Sequence, residues 1–216
     1  MTQPSEANGI KLGSDNDPIR QGLFASQSMR ELTQRIKPDN SHSPLQILLK
    51  AAILAGEAKN HEARSLLHSI LTIPNLETRV QLWVWSSLRE LGEKPDEKLA
   101  FEILGAVIEV PMNGAYDTLA AYQDGTARYL NHSGKAIFWD TADEKVLGLC
   151  AALINSTVPA ASKAKPRTSV SLPKSGTQAT LLTRSGLYAV PNPPNFVIGP
   201  AAGLMNELIR RANLQA

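Results

Sequence analysis

The chain has 216 residues, 43% of them hydrophobic and 19% charged, with a formal net charge of +2. Those values suit one large or two small folded units and exclude wholesale disorder. The single cysteine, Cys150, excludes an internal disulfide framework and any cysteine-based metal site, which points to a reducing, cytoplasmic setting.

Residues 1–22 mix Pro, Gly, Ser, Asn and Asp without periodicity and read as a disordered tail. The tail has no apolar core of a secretory signal, and no purely apolar run of the chain approaches the roughly 20 residues that cross a bilayer. A first helix is expected from about Ala25 to Ile36. Ser43 and Pro44 then start a second as N-cap and first helical residue, with Leu45, Leu48, Leu49, Ala52 and Ile53 on one face. Asn60 opens a third, striped by Ala63, Leu66, Leu67, Ile70 and Leu71. Pro74-Asn75 opens a fourth, striped by Leu76, Val80, Trp83, Val84 and Leu88 and closed by Gly92. A fifth is expected from Pro95 to Leu104. Residues 23–104 thus read as antiparallel helical hairpins, too few to bury their faces without another surface.

At Gly105 the apolar period changes from that of a helix to that of a strand. Strands are expected at Ala106–Val110, Tyr116–Gln123, Thr126–Asn131 and Lys135–Trp139. Asp124-Gly125 reads as a two-residue type I′ hairpin, a register that opposes Tyr122 to Ala127 and Ala120 to Tyr129. Thr141 and Glu144 have capping-box spacing before a helix with Val146, Leu147, Cys150, Leu153 and Ile154 inward. Val158–Pro166 reads as a linker, Thr168–Leu172, Thr177–Thr183 and Leu187–Val190 as strands, and Pro200 as the start of a final helix.

The fold class is therefore α+β: N-terminal antiparallel helical hairpins packed on a mostly antiparallel sheet, 105–216, that carries two helices. In element order that sheet resembles profilin-like and roadblock-like sheets, an analogy of architecture that fixes no activity. The string from Asp117 to Gly134, which includes Tyr122-Gln123-Asp124-Gly125-Thr126 and Asn131-His132-Ser133-Gly134, resembles a segment of a bacterial protein family without assigned function. The resemblance implies a bacterial cytoplasmic origin and transfers no functional residue.

The standard nucleotide, metalloprotease, hydrolase and calcium motifs are absent from the sequence, and no cofactor-binding or metal-ligating set is read. His61 and His68 are seven residues apart on one helix, a rise of roughly 10 Å, and cannot share a metal. The candidate for chemistry is Asp117 with His132, which the hairpin brings opposite each other. A carboxylate fixes the tautomer of an imidazole, as a general base requires, although the same residues also suit simple turn chemistry.

Charge is distributed unevenly. Between Glu144 and Glu207 there is no acidic residue, while Lys163, Lys165, Arg167, Lys174 and Arg184 fall in that stretch. This basic run and Trp85, displaced from its helix's apolar stripe, are candidates for a partner surface. The expectation is a non-enzymatic interaction or adaptor module of the cytoplasm, with a protein partner and no membrane. The alternatives are a small-molecule hydrolase or ligand-binding protein built on Asp117 and His132, and a weak nucleic-acid binder using residues 163–184.

Overall fold

A computed structural model describes residues 14, 15, 17–141 and 143–215. The architecture is α+β, with helices first and an antiparallel sheet after them. Five helices come first: α1 (Pro18–Gly22), α2 (Met29–Arg35), α3 (Pro44–Gly56), α4 (Asn60–Leu71) and α5 (Thr78–Glu90). Four strands follow, β1 (Ile103–Met112), β2 (Ala115–Tyr122), β3 (Ala127–Leu130) and β4 (Ala136–Trp139). Helix α6 (Glu144–Thr157), a 3-10 turn (Pro159–Lys163), β5 (Lys165–Arg167), β6 (Gln178–Thr183), β7 (Gly186–Pro191) and α7 (Asn195–Gln215) complete the chain. One seven-stranded sheet has the order β4-β3-β2-β1-β6-β7-β5, and neighbouring strands run antiparallel.

Local chemistry explains most element starts. Ser28 caps α2 with a complete capping box to Glu31, and Ser43 caps α3 ahead of Pro44. Helix α6 is capped by Asp143, whose side chain accepts from the Val146 N–H, and not by Thr141. Segment 95–102 forms turns instead of the expected fifth helix, and β1 begins at Ile103, ahead of Gly105. Residues 168–172 are not a strand, whereas Lys165–Arg167 within the expected linker is one. Helix α7 begins at Asn195 and carries Pro200 inside its first two turns.

Both faces of the sheet are covered, which accounts for the continuous burial of β1 from Leu104 to Glu109. Helices α6 and α7 cover one face, through Val146, Cys150, Leu153, Leu204 and Leu208 against Ile108, Leu119, Tyr129 and Leu181. Leu23, Phe24 and Leu82 of the N-terminal layer cover the other, against Val107, Ala120, Tyr122 and Leu182. Helices α2 to α5 share a third cluster around Leu32, Leu48, Leu67 and Leu88. From Glu144 to Lys163, α6 and its 3-10 turn are long and apolar enough to cross a membrane, by length and composition alone. Here their inner residues lie under the sheet, and Leu147 and Val158 face outward.

The expected tail, 1–22, contains a structural anchor. Residues 1–13 lie outside the described residues, but Arg20 of α1 is fully buried against Glu109 in the middle of β1. The Arg167 side chain approaches the other oxygen of Glu109 at 2.8 Å and is 6% exposed. Both guanidinium groups lie over the Phe24 ring, at 5.4 and 4.7 Å from its centroid. A lone carboxylate inside a β-strand would be costly, and two cations with the Thr180 hydroxyl beside them make it tolerable.

A second ionic knot joins α6 to α7. Glu207 accepts from Lys145, Arg210 and Arg211, and Arg211 also grips Asp143. Arg210, Arg211 and Lys145 hold the Glu207 carboxyl below its ordinary 4.5, and the Val146 backbone N–H, then Arg211, hold Asp143 below its ordinary 3.8. A lowered carboxylate pKa stabilises the fold above the unfolded value and is lost as pH falls through the folded one.

Two outcomes are expected. Removing one partner of the buried triad, by Glu109→Ala, costs about 3–5 kcal/mol in urea unfolding because two guanidinium groups are left uncompensated. In acid, melting temperature falls as pH drops below 4.5, and Glu207→Gln flattens that acid limb relative to the parent chain.

Candidate functional site

Asp117 and His132 are brought together by turn geometry that differs from the sequence expectation. The β2–β3 loop has three residues, Gln123-Asp124-Gly125, closed by Tyr122 N–H to Thr126 O at 3.0 Å and Gly125 N–H to Tyr122 O at 3.0 Å. Gly125 has φ +82°, and a Cβ there would come within 2.8 Å of Leu147 Cδ1. The extra loop residue moves the register by one, so Ala120 opposes Arg128 and Leu119 opposes Tyr129. Tyr122 and Tyr129 consequently occupy opposite faces of the sheet, where the expected register would have put them on one. The β3–β4 loop repeats the pattern, with Asn131 N–H to Lys135 O at 2.8 Å and Gly134 at φ +87°.

In the observed register Asp117 still reaches His132. Its Oδ1 accepts the His132 backbone N–H at 2.7 Å and lies 2.8 Å from His132 Nδ1. Its Oδ2 accepts the Tyr129 hydroxyl at 2.7 Å, and Asn131 Nδ2 donates to that hydroxyl at 3.1 Å. Burial and the bond to Asp117 push the Tyr129 phenol up to about 12. Both carboxylate oxygens are therefore occupied in holding the β3–β4 turn, as expected of turn chemistry. With Nδ1 directed at Asp117, His132 leaves Nε2 as its free nitrogen. Ser133, the adjacent hydroxyl, is exposed, and its backbone N–H donates to Asn131. Neither Asp117 nor His132 lines the cleft beside them.

That cleft, about 460 Å³, lies between the β3–β4 hairpin and the end of α7 and is lined by Tyr129, Asn131, Lys135, Ile137, Ile209 and Ala212. It opens along β4, an edge strand of the sheet. Asn131 bonds Lys135, so the hydrogen-bonded pairs with β3 fall at Lys135, Ile137 and Trp139. The backbone N–H and C=O groups of Ala136 and Phe138 therefore point away from the sheet. The Phe138 ring is 51% exposed on the opposite face from the cleft and lies over Arg128.

The other edge is built differently. Strand β5 reads Lys165-Pro166-Arg167, and a proline lacks the N–H that an added strand would need. Sequence reading missed this contrast between the edges, although Pro166 on one side and Ala136-Ile137-Phe138-Trp139 on the other are visible in the chain. It also missed the Arg20–Glu109–Arg167 triad, for which an acidic residue inside the apolar run Ala106–Val110 was the available signal.

The other named residues are placed as follows. Arg167 is held by Glu109, and Arg184 pairs with Glu102 and also donates to the Leu99 carbonyl. Lys163, Lys165 and Lys174 remain exposed, so the basic stretch presents three lysines and not a five-residue patch. Trp85 is half-buried against the helical cluster of α2 to α5. Cys150 is buried under the β2–β3 loop, which pushes its thiol up to about 12 and makes it a poor nucleophile. Among the described residues no group of three or more His, Cys, Asp or Glu could hold a metal ion.

Asp117→Ala is expected to lose about 1–3 kcal/mol of stability, because it strands the buried Tyr129 hydroxyl and the turn N–H. In the parent chain one phenol titrates at about 12, followed at 295 nm, and moves back toward 10 in Asp117→Ala. A raised phenol pKa means that the Tyr129 contribution to stability is constant below pH 10 and is lost as pH rises from there toward 12.

Compared with protein-family models, with curated proteins and with solved structures, the chain has no match.

Proposed function

We propose that this chain is a protein-interaction module whose docking element is the open edge β4. The observation that carries the reading is the contrast between the two ends of the sheet. One edge is closed by Pro166, and the other presents the free backbone groups of Ala136 and Phe138 beside an apolar cleft. A strand laid along β4 would gain main-chain hydrogen bonds, with alternate side chains directed into the cleft and onto Phe138. Natural sheets guard such edges unless they are used, and the four residues of β4 carry no proline and no charge.

A hydrolase centred on Asp117 and His132 has less support. Both Asp117 oxygens are engaged by Tyr129 and His132 across the sheet, and the cleft nearby is lined by neither Asp117 nor His132. Nucleic-acid binding through residues 163–184 has less support too, since the Arg167 and Arg184 side chains are already engaged by carboxylates.

The test places a photo-cross-linking phenylalanine at position 138, and separately at Ile53, an exposed position on α3. Cross-linked protein adducts are expected at position 138 and are lost when Ala136→Pro removes the outward N–H. Equal adducts at both positions, or adducts indifferent to Ala136→Pro, would refute strand addition at β4.

A further inference from the structure

We infer that the strand added to β4 is β4 of a second copy, joined about a twofold axis to make one continuous antiparallel sheet. The inference rests on the reading of β4 as the docking edge and names its occupant. A twofold that joins two edge strands antiparallel must stand perpendicular to the sheet, so each residue keeps its face. Directly opposed residues share a face, hence their numbers must both be odd or both be even. Only a few registers satisfy this rule for so short a strand.

One register, with Ile137 opposite Ile137 of the second copy, uses every outward group on both strands. Ala136 then exchanges both backbone hydrogen bonds with Phe138 of the other copy, and Phe138 does the same with Ala136. Shifting the axis to Ala136 or to Phe138 leaves outward groups of the strand without a strand partner. A buried edge with unpaired backbone groups is disfavoured, so the Ile137-centred register is selected.

The side chains fit the same register. Phe138, half-exposed in the monomer, falls opposite the small Ala136 of the second copy, so a large side chain meets a small one on that face. On the other face Ile137 meets Ile137, and Lys135 comes opposite Trp139, a cation against an indole. No like-charged residues of the two strands are directly opposed, although the Trp139 ring already carries Arg211 at 4.8 Å. The last turn of α7, with Ala212 and Asn213 at the cleft and Leu214 73% exposed beyond them, flanks the same edge and would lose apolar exposure. Strand β5 cannot do this, because Pro166 has no N–H to give.

The experiment uses the full chain in two measurements. Sedimentation equilibrium across the micromolar range is expected to show a monomer–dimer equilibrium, weakened about tenfold or more in Ala136→Pro through the lost interstrand bonds. Mild oxidation of Ile137→Cys is expected to give a disulfide-linked dimer, because opposed residues of a non-hydrogen-bonded pair have Cα atoms about 4.5 Å apart. The buried Cys150 does not compete. Phe138→Cys serves as the register control and should not link to itself. Far-ultraviolet circular dichroism and melting confirm that each variant is folded.

A dimer that survives Ala136→Pro unchanged uses another surface and overturns the inference; the β4 reading falls with it only if the position-138 adducts are also indifferent to Ala136→Pro. A chain that stays monomeric throughout, with Ile137→Cys unlinked, overturns self-pairing alone if the position-138 adducts still depend on Ala136. Efficient linking by Phe138→Cys and none by Ile137→Cys would overturn the register.

Discussion

The buried carboxylate of Glu109 is the constraint around which the two halves of the molecule are organised. It lies on the central strand, on the face turned toward the N-terminal helices, and its side chain is fully buried. Its two oxygens are claimed from opposite directions, by Arg20 near the start of the described chain and by Arg167 on the far edge strand. Both guanidinium groups also pack over the Phe24 ring. One side chain thus draws together α1, β1 and β5, which are distant in sequence. The net charge of that cluster is positive, so its contribution is one of specificity more than of raw stability: a misplaced α1 or β5 would leave a bare charge inside.

With both faces of the sheet sealed by helices, only the edges remain for main-chain recognition, and the molecule treats its edges unequally. Strand β5 is committed to the ionic cluster through Arg167 and closed by Pro166. Strand β4 is anchored on its inner side alone. The Asp117–Tyr129–His132–Asn131 network fixes the turn that leads into β4, so the polar residues that most resembled a catalytic pair act here by holding the edge in place. Rigid presentation lowers the ordering cost of binding, which is how a turn built from saturated hydrogen bonds contributes to recognition without touching the partner.

Where sequence reasoning succeeded, the information was local. The Ser43-Pro44 start, the apolar stripes of α3 to α5 and the strand-forming run of β2 each depend on residues within a turn or two of one another. The proximity of Asp117 and His132 was also readable, since any hairpin closing near Gly125 brings them close. The register was not. Two- and three-residue loops both accept Asp-Gly, and the choice here is made by tertiary packing, because the left-handed Gly125 sits directly against Leu147 of α6. That single residue of slip decides which face each tyrosine occupies.

By itself, the sequence determined the fold class, the order of most elements and the absence of the standard catalytic signatures, because these follow from periodicity, caps and residue type. Only the tertiary structure decided that α1 belongs to the core, that Arg167 and Arg184 are engaged by carboxylates and that β4 is left open. Each of those depends on long-range pairing between segments up to about 150 residues apart, as between Arg20 and Val170. Burial and charge compensation are properties of such pairs, and a residue's neighbours in the chain do not specify them.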